Sequence, residues 1–461
     1  MSSPPPLAGG AQGPDALRPL IAVALDALRE GTAARRGPLP AGGPHTVAER
    51  VRAAADPVLP DHGTGPQAAL RTLLHTLAEG AADPADPLCA AHLHCPPLAV
   101  ATAADLAASA LNPSMDSWDQ APAASALEAL VTRALADEIH PGGDALVTTG
   151  GTESNQLALL LARETPTRHG PLRLLVGENA HHSFARAAWL LGLPEPVVVP
   201  APAGTLDPAA LDDALTELAG PPHTLLVAAT AGTTDAGLID PLDDIADLCA
   251  AHGARLHIDA AYGGGLLFSD TRKTRLHGLE RADSVTLDLH KLGWQPAAAG
   301  LLAVRDPADL DTLDHRADYL NADDDTDAGL PDLLGRSLRT TRRPDILKIA
   351  VTLKALGRTG LGTLVDQVCD HATEFAHLIA AHPGFQLYDT PTISTVLFRP
   401  TGADDDHISH VRRQLLTEGT AVLGRADLEG RRWLKATLLN PHTRPGDLAA
   451  LLKLVEGTTP R

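Results

Sequence analysis

Between residues 172 and 287 the chain returns five times to a short, largely apolar run: Leu172–Val176, Val197–Val199, Thr224–Ala229, Arg255–Ile258 and Ser284–Leu287. Each run is too short for a helix and too continuously apolar for a strand with one wet face, so each reads as a strand covered on both sides. Helical patterns separate several of them, notably Pro208–Leu218 and Pro241–His252. A strand–helix–strand rhythm commits the chain to an α/β fold with a mainly parallel sheet between layers of helices. In such sheets reactive groups collect just beyond the carboxyl ends of the strands, and those residues are read first.

The 461 residues exceed what one simple core organises, at on the order of 150 residues per unit. Residues 1–15, rich in Ser, Pro and Gly, are expected to form a disordered tail. Residues 16–100 form an N-terminal helical segment: Leu17, Leu20, Ile21, Ala24 and Leu28 predict a helix over Asp15–Arg29, and a second helix spans about Gln67–Ala78 after Pro/Gly-rich linkers. Such arms pack on their own chain or wrap around a partner subunit. Residues 101–350 form the large domain, in which the polar block Ser114–Gln120 reads as a lining loop before the helix Ala123–Ile139. The acidic run Asn321–Asp327 reads as a solvated loop that could act as a lid. Two helices, Ile346–Leu356 and Leu361–Ala380, lead into residues 351–461, a small α+β C-terminal domain with strands at Thr395–Phe398 and Trp433–Leu438 and helices at Ile408–Glu418 and Pro445–Val455.

A net charge of −20 argues against nucleic acid or an anionic membrane as partner. Cys89, Cys95, Cys249 and Cys369 form no C-x-x-C pair, so neither a disulfide framework nor a zinc ribbon is indicated. His92, His94 and Cys95 lack a second cluster to complete a metal site and read as a turn. No apolar run approaches the roughly 18 residues of a membrane span, and Met1–Asp15 has Pro and Gly where a signal peptide needs an apolar core. A cytoplasmic enzyme is expected.

Three stretches could carry chemistry. TTGGTESN, Thr148–Asn155, opens a helix; its glycines let backbone amides approach an anion, although a plain turn capped by Thr152 is the alternative. It lacks the lysine of a Walker loop and the three spaced glycines of a dinucleotide fingerprint. HIDAAYGGG, His257–Gly265, places Asp259 at a strand end, either as a helix cap or opposite a cationic partner. ADSVTLDLHKLGW, Ala282–Trp294, delivers His290 and Lys291 beyond a buried strand, where Lys291 is either a surface lysine or a nucleophilic amine. One ligand satisfies all three: pyridoxal 5′-phosphate takes a phosphate cradle, a carboxylate for its ring nitrogen and a lysine for its aldehyde.

These stretches, together with ENAHHSFARAA and GTTDAGLIDPLDDI, occur in an order and spacing that resembles the group II pyridoxal-phosphate-dependent amino-acid decarboxylases over roughly residues 85–455. The resemblance implies a fold type I (aspartate aminotransferase-like) architecture with a seven-stranded sheet, and a homodimer with sites at the interface. It implies that Lys291 forms the Schiff base, that His290 lies near a phosphate held by Gly150, Gly151 and Thr152, and that Asp259 pairs with the ring nitrogen. His181, rather than its neighbour His182, would stack on one ring face and Ala261 on the other, with Thr234 near the ring hydroxyl. His181 and Lys291 are the candidates for handling protons. Many relatives carry a tyrosine on the loop after the lysine that helps protonate Cα; the matching segment here, GLPDLLGRSLRTTRRPD, has none.

HLHCPPL, SMDSWDQAPA, ADYLN and WLKATLLNP look most like the branch that decarboxylates 2,4-diaminobutyrate and its lysine-decarboxylating cousins. The expected reaction is therefore decarboxylation of a small L-amino acid to amine and carbon dioxide, with a diamino acid (2,4-diaminobutyrate, ornithine or lysine) as substrate. An acidic substrate (aspartate, glutamate or cysteine sulfinate), decarboxylation-coupled aldehyde synthesis or transamination, and a catalytically silent scaffold are the alternatives. Asp116 or Asp119 could meet a cationic side chain. Lys435 falls where glutamate-decarboxylating relatives have a carboxylate-binding arginine, and Gly293 in LGWQP is expected to reshape the pocket. No metal is expected.

Overall fold

The structure, a computed structural model, describes residues 4–164, 170–218, 223–314 and 323–458. Helix α1 (Gly13–Arg35) begins inside the stretch read as a disordered tail and runs past its expected end. Helix α2 (Gly43–Ala55) occupies a stretch read as linker; its Pro44 sits at the start, where the missing N–H has no partner to lose, so proline opens the helix instead of breaking it. Helix α3 (Pro66–Gly80) packs along α1, and the buried Arg35 guanidinium at the end of α1 donates to the Ala78 carbonyl at 2.7 Å and pairs with Asp83.

Strand β1 (Cys89–Ala90) and helices α4 (Ala99–Leu111) and α5 (Pro122–Asp137) precede the main sheet. That sheet contains β2 (Asp144–Thr148), β3 (Leu172–Gly177), β4 (Val197–Val199), β5 (Thr224–Thr230), β6 (Arg255–Ala260), β7 (Ser284–Asp288) and β8 (Gly300–Val304), in the order β2-β8-β7-β6-β5-β3-β4. Helices α6 (Gly151–Glu164), α7 (Ser183–Leu190), α8 (Pro208–Glu217) and α9 (Leu242–His252) cross between its strands. All neighbours pair in parallel except where β8 inserts antiparallel between β2 and β7. This is the mainly parallel seven-stranded sheet expected, and every residue of β2, β7 and β8 is buried. Strand β8 was not foreseen, because AAAGLLAV carries no β-branched run before its final valine. Its Gly300 explains the choice: a Cβ there would lie 2.5 Å from the backbone of Gly150, so only glycine lets this strand press against the Gly150–Gly151 turn.

The acidic run lies partly outside the described residues at 321 and 322; the remainder forms the short helix α10 (Asp323–Asp327). The segment after it is docked by arginines: Arg336 on Asp144, Arg343 on Asp105, and Arg342 on Glu128 through two 2.7 Å bonds with both side chains buried. Helix α11 (Ile346–Ala381) is the two helices expected, joined at Gly357, whose φ of 65° and ψ of 178° are not helical.

The C-terminal part adds β9 (Phe385–Leu387), β10 (Thr395–Pro400), α12 (Asp405–Glu418), β11 (Val422–Leu428), β12 (Arg431–Thr437) and α13 (Pro445–Thr458). Its five strands are ordered β1-β11-β12-β10-β9, so residues 89–90 of the N-terminal segment belong to this sheet. No helix among the described residues is long and apolar enough to cross a membrane. The Glu128–Arg342 pair gives a direct test. Arg342→Ala strands a buried carboxylate and should cost about 3–5 kcal/mol of unfolding free energy, read from denaturant titration.

Candidate active site

The parallel strands deliver their last residues to one edge. Register sets Thr230 beside Asp259 and Asp259 beside Thr286, and the chain beyond β7 carries His290 and Lys291. Helix α6 opens directly after β2, so its N-terminal amides, which have no partner within the helix, meet the same edge. Between these ends lies a cavity of about 250 Å³ lined by Thr149, Gly150, Gly151, Thr152, His181, Thr234, Asp259, Ala261, Asp288, His290 and Lys291, with Leu93, Thr230, Gly232 and Tyr262 completing the wall. All nine residues proposed from sequence to meet the cofactor therefore share one cavity. Gly150 has φ 140°, and a Cβ on it would sit 3.0 Å from His290 Cε1; the turn and the imidazole can be this close only because the residue is glycine.

Under the cavity lies a buried polar network. Asp259 is 5% exposed. Its Oδ1 accepts from the Ala261 N–H at 3.0 Å and its Oδ2 from Asn155 Nδ2 at 2.8 Å. Asn155 gives its other amide hydrogen to Ser183 Oγ at 2.9 Å, while its Oδ1 accepts from Thr286 Oγ1 at 2.8 Å and from His257 Nε2 at 3.1 Å. His257 Nδ1 meets Ser284 Oγ at 2.8 Å, and burial pulls this imidazole down to about 4. Asn155, Ser183 and His257 do not stand out in the sequence. All three lie inside the quoted motifs, but a polar residue carries no sign of burial in one sequence.

Asp288 was missed as well. Its carboxylate is almost fully buried, with Oδ2 2.9 Å from Lys291 Nζ and 3.6 Å from His290 Nε2, and its Oδ1 has no hydrogen-bond partner among the described residues. His290 Nδ1 accepts from the Ala299 N–H at 3.3 Å, and burial holds the ring below its usual range. The lysine amine is thus fixed at the cavity wall by a neighbour three residues earlier in its own chain.

The substrate candidates are placed differently. Thr234 lines the cavity, but Lys435 does not; its ammonium donates to the Thr234 carbonyl at 2.9 Å from behind, and burial lowers its pKa. Asp119 is exposed and accepts from Ser117 Oγ at 2.6 Å; Asp116 is buried and accepts from Gln120 Nε2 at 2.7 Å; neither lines the cavity. The block Ser114–Gln120 is therefore not a lining loop of its own chain's cavity. Gly293 also lies outside the lining, packed where a Cβ would meet the Leu289 carbonyl at 2.5 Å. It permits a tight turn and does not reshape the pocket.

A glycine turn at a helix N-terminus, a buried hydrogen-bonded carboxylate and a lysine in one cavity fit pyridoxal 5′-phosphate, with the side-chain-free turn and the unpartnered Asp288 Oδ1 as polar contacts still open to a ligand. Residues 49–401 match the family described as the pyridoxal-dependent decarboxylase conserved domain. The chain is 42% identical over 413 residues to an L-2,4-diaminobutyrate decarboxylase of Rhizobium meliloti, covering 87% of this chain and 83% of the relative. It is 34% identical over 427 residues to an L-2,4-diaminobutyrate decarboxylase of Acinetobacter baumannii, covering 85% and 84%. The solved glutamate decarboxylase domain of diaminobutyrate-pyruvate transaminase and L-2,4-diaminobutyrate decarboxylase from Vibrio parahaemolyticus superposes with a TM-score of 0.87 at 32% identity, covering 98% of this chain and 97% of that one.

The network has a pH signature. His257 is held neutral in the folded state, with its pKa lowered to about 4 from an unfolded value of 6.5, so the unfolded chain binds more protons in between. Its contribution destabilises the fold as pH drops below 6.5 and is complete below about 4. His257→Gln should therefore lose less stability than the wild type between pH 7 and pH 4.5, by on the order of 2–3 kcal/mol, in urea titrations at the two pH values.

Proposed function

The chain belongs to the pyridoxal-dependent decarboxylases, and on that premise we propose that it converts L-2,4-diaminobutyrate to its amine and carbon dioxide. The 42% identity with the Rhizobium meliloti diaminobutyrate decarboxylase carries this reading. The cavity agrees with it, because an acidic substrate would want a cation for its side chain. Among the described lining residues Lys291 is the sole lysine or arginine, and Lys435 is already committed to the Thr234 carbonyl.

Bound pyridoxal phosphate supplies an aldehyde for amines and a conjugated ring that accepts the electron pair left when a carboxylate departs. Lys291 would hold the cofactor through its ε-amine. Gly150, Gly151 and Thr152, at the positive end of α6, and His290 would hold its phosphate. Asp259 would keep the ring nitrogen protonated, its carboxylate oriented by the Ala261 amide and the Asn155 side chain. His181 and Ala261 would cover the ring faces, and Thr234 would approach the ring hydroxyl.

A proton must return to Cα of the substrate. The segment 323–345 offers no tyrosine and is docked by arginines, and the Tyr262 hydroxyl on the cavity wall is committed to Ser394 and Thr395. His181 and Lys291 are the lining groups left to handle it. The reading extends to a homodimer, since α1 and α3 leave Leu25, Leu28, Leu73 and Leu77 exposed, and a second copy would cover them. It also extends to the reducing cytoplasm, where four free cysteines are at home.

A panel of 2,4-diaminobutyrate, ornithine, lysine, aspartate, glutamate and cysteine sulfinate, scored for carbon dioxide and amine, tests the substrate. Diaminobutyrate should give the highest kcat/KM, and faster turnover of any acidic member would sink the proposal. Peroxide or ammonia in step with carbon dioxide would point to aldehyde synthesis instead. Lys291→Ala should lose both turnover and the borohydride-sensitive visible band of the reconstituted enzyme. Sedimentation should return twice the 47.9 kDa chain mass, and dispersal to monomers would refute the dimer.

A further inference from the structure

The hydrogen bonds beneath the cavity determine where the His181 ring carries its proton. The Asp259 carboxylate only accepts, so the Asn155 side chain must turn its NH₂ toward it, which also leaves Asn155 Oδ1 to accept from Thr286 and His257. The second hydrogen of the same NH₂ then reaches Ser183 Oγ at 2.9 Å. Ser183 accepts from Asn155 with one lone pair and keeps its own hydroxyl hydrogen for His181 Nδ1, 2.9 Å away. The Ser183 backbone N–H points at that same nitrogen from 3.3 Å. The backbone N–H can only donate, so Nδ1 is the acceptor, and the hydroxyl hydrogen then joins it there.

We propose that Asn155 and Ser183 are positioning residues that hold His181 as the neutral imidazole protonated on Nε2, so that it serves the reaction as a hydrogen-bond donor and not as the acid that protonates Cα. The inference rests on the reading of this cavity as the decarboxylase site. An imidazolium would set an Nδ1–H against the Ser183 backbone N–H, a fixed donor, and would turn the Ser183 hydroxyl hydrogen away from the ring. A neutral imidazole that gave up its Nε2 proton would become an imidazolate, a far less accessible anion than the amine left when an ammonium gives up its proton. Of the two candidates, His181 and Lys291, the lysine is then the one left to serve Cα.

The charged and titratable groups facing the ring are Asp259 and Asp288, which favour its protonation, and His182 and Lys291, which oppose it. Burial is the largest influence and lowers the pKa. The His182 ring centroid is 4.1 Å from that of His181, and its solvent-exposed position leaves it free of the Ser183 constraint. Only one of the adjacent imidazoles is therefore locked.

The test uses the cofactor-free full chain with ¹⁵N-labelled histidine, the His181 signals being identified by their loss in His181→Asn. The wild type should show an unprotonated Nδ1 and a protonated Nε2 at pH 8 and at pH 7. Ser183→Ala should move the titration midpoint of His181 upward by about one pH unit, the worth of one hydrogen bond. In the reconstituted enzyme it should leave the ratio of amine to carbonyl product unchanged, because the Cα acid is untouched. A protonated Nδ1 in the wild type at pH 7 overturns the proposal even if Ser183→Ala fails to fold. So does a shift of product toward carbonyl in Ser183→Ala. Since the ring-nitrogen signals are read without cofactor or substrate, a wrong substrate assignment leaves that result standing.

Discussion

The 2.8 Å hydrogen bond from Asn155 Nδ2 to Asp259 Oδ2 is the contact on which this site depends. A carboxylate this deeply buried is costly unless its oxygens are met by donors. One donor is local, the Ala261 amide two residues on; the other must come from another element. Asn155 supplies it from the first turns of α6 and uses its remaining groups to reach β6 through His257, β7 through Thr286 and α7 through Ser183. The amide can face only one way, because reversing it would set its oxygen against the carboxylate. One side chain therefore fixes the relative placement of the glycine turn, the Asp259 carboxylate and His181, three parts drawn from separate stretches of the chain.

How much of this could be read in advance follows from which physical signals survive in a single sequence. Burial on both faces writes itself as an apolar run, so β3, β5, β6 and β7 were legible, and the positions just beyond them led to Asp259, His290 and Lys291. Spacing within motifs, read by resemblance, then placed Gly151, His181 and Thr234 in the same cavity, where the structure also has them. Strand β8 was not legible because its reason for being a strand is the approach of Gly300 to Gly150, a contact between residues 150 positions apart. Helix α2 was hidden because Pro and Gly read as linker unless the proline falls in the first turn. Asn155, Ser183, His257 and Asp288 were hidden for a third reason: hydrophobic pattern locates apolar cores and is silent about polar ones.

The misplaced substrate residues are instructive in the same way. Asp119 was chosen for its charge and Lys435 by analogy of position, yet Asp119 is exposed and Lys435 faces the back of the Thr234 turn. Position along a strand fixes which side a residue occupies, but not whether its long side chain ends in a cavity or in a backbone carbonyl.

Lys435 nonetheless points to a division of labour in the fold. Among the described residues, all that line the cavity come from Leu93 to Lys291, and none from the five-stranded sheet's C-terminal strands. Yet that part of the chain holds the lining from behind at two places, Lys435 on the Thr234 carbonyl and Ser394 and Thr395 on the Tyr262 hydroxyl, and holds the turn after Lys291 at a third, the Leu439 carbonyl on the Trp294 indole at 2.8 Å. The Trp294 carbonyl in turn accepts the Leu98 amide hydrogen at 2.8 Å, so the turn after Lys291 is clamped between the N-terminal segment and the chain just past β12. The large sheet sets which chemical groups face the cavity, and the C-terminal sheet sets how rigidly they face it. Substitutions among residues 394–439 should therefore act on the cavity by moving Thr234, Tyr262 or the Lys291 turn, since their side chains reach it only through those intermediaries.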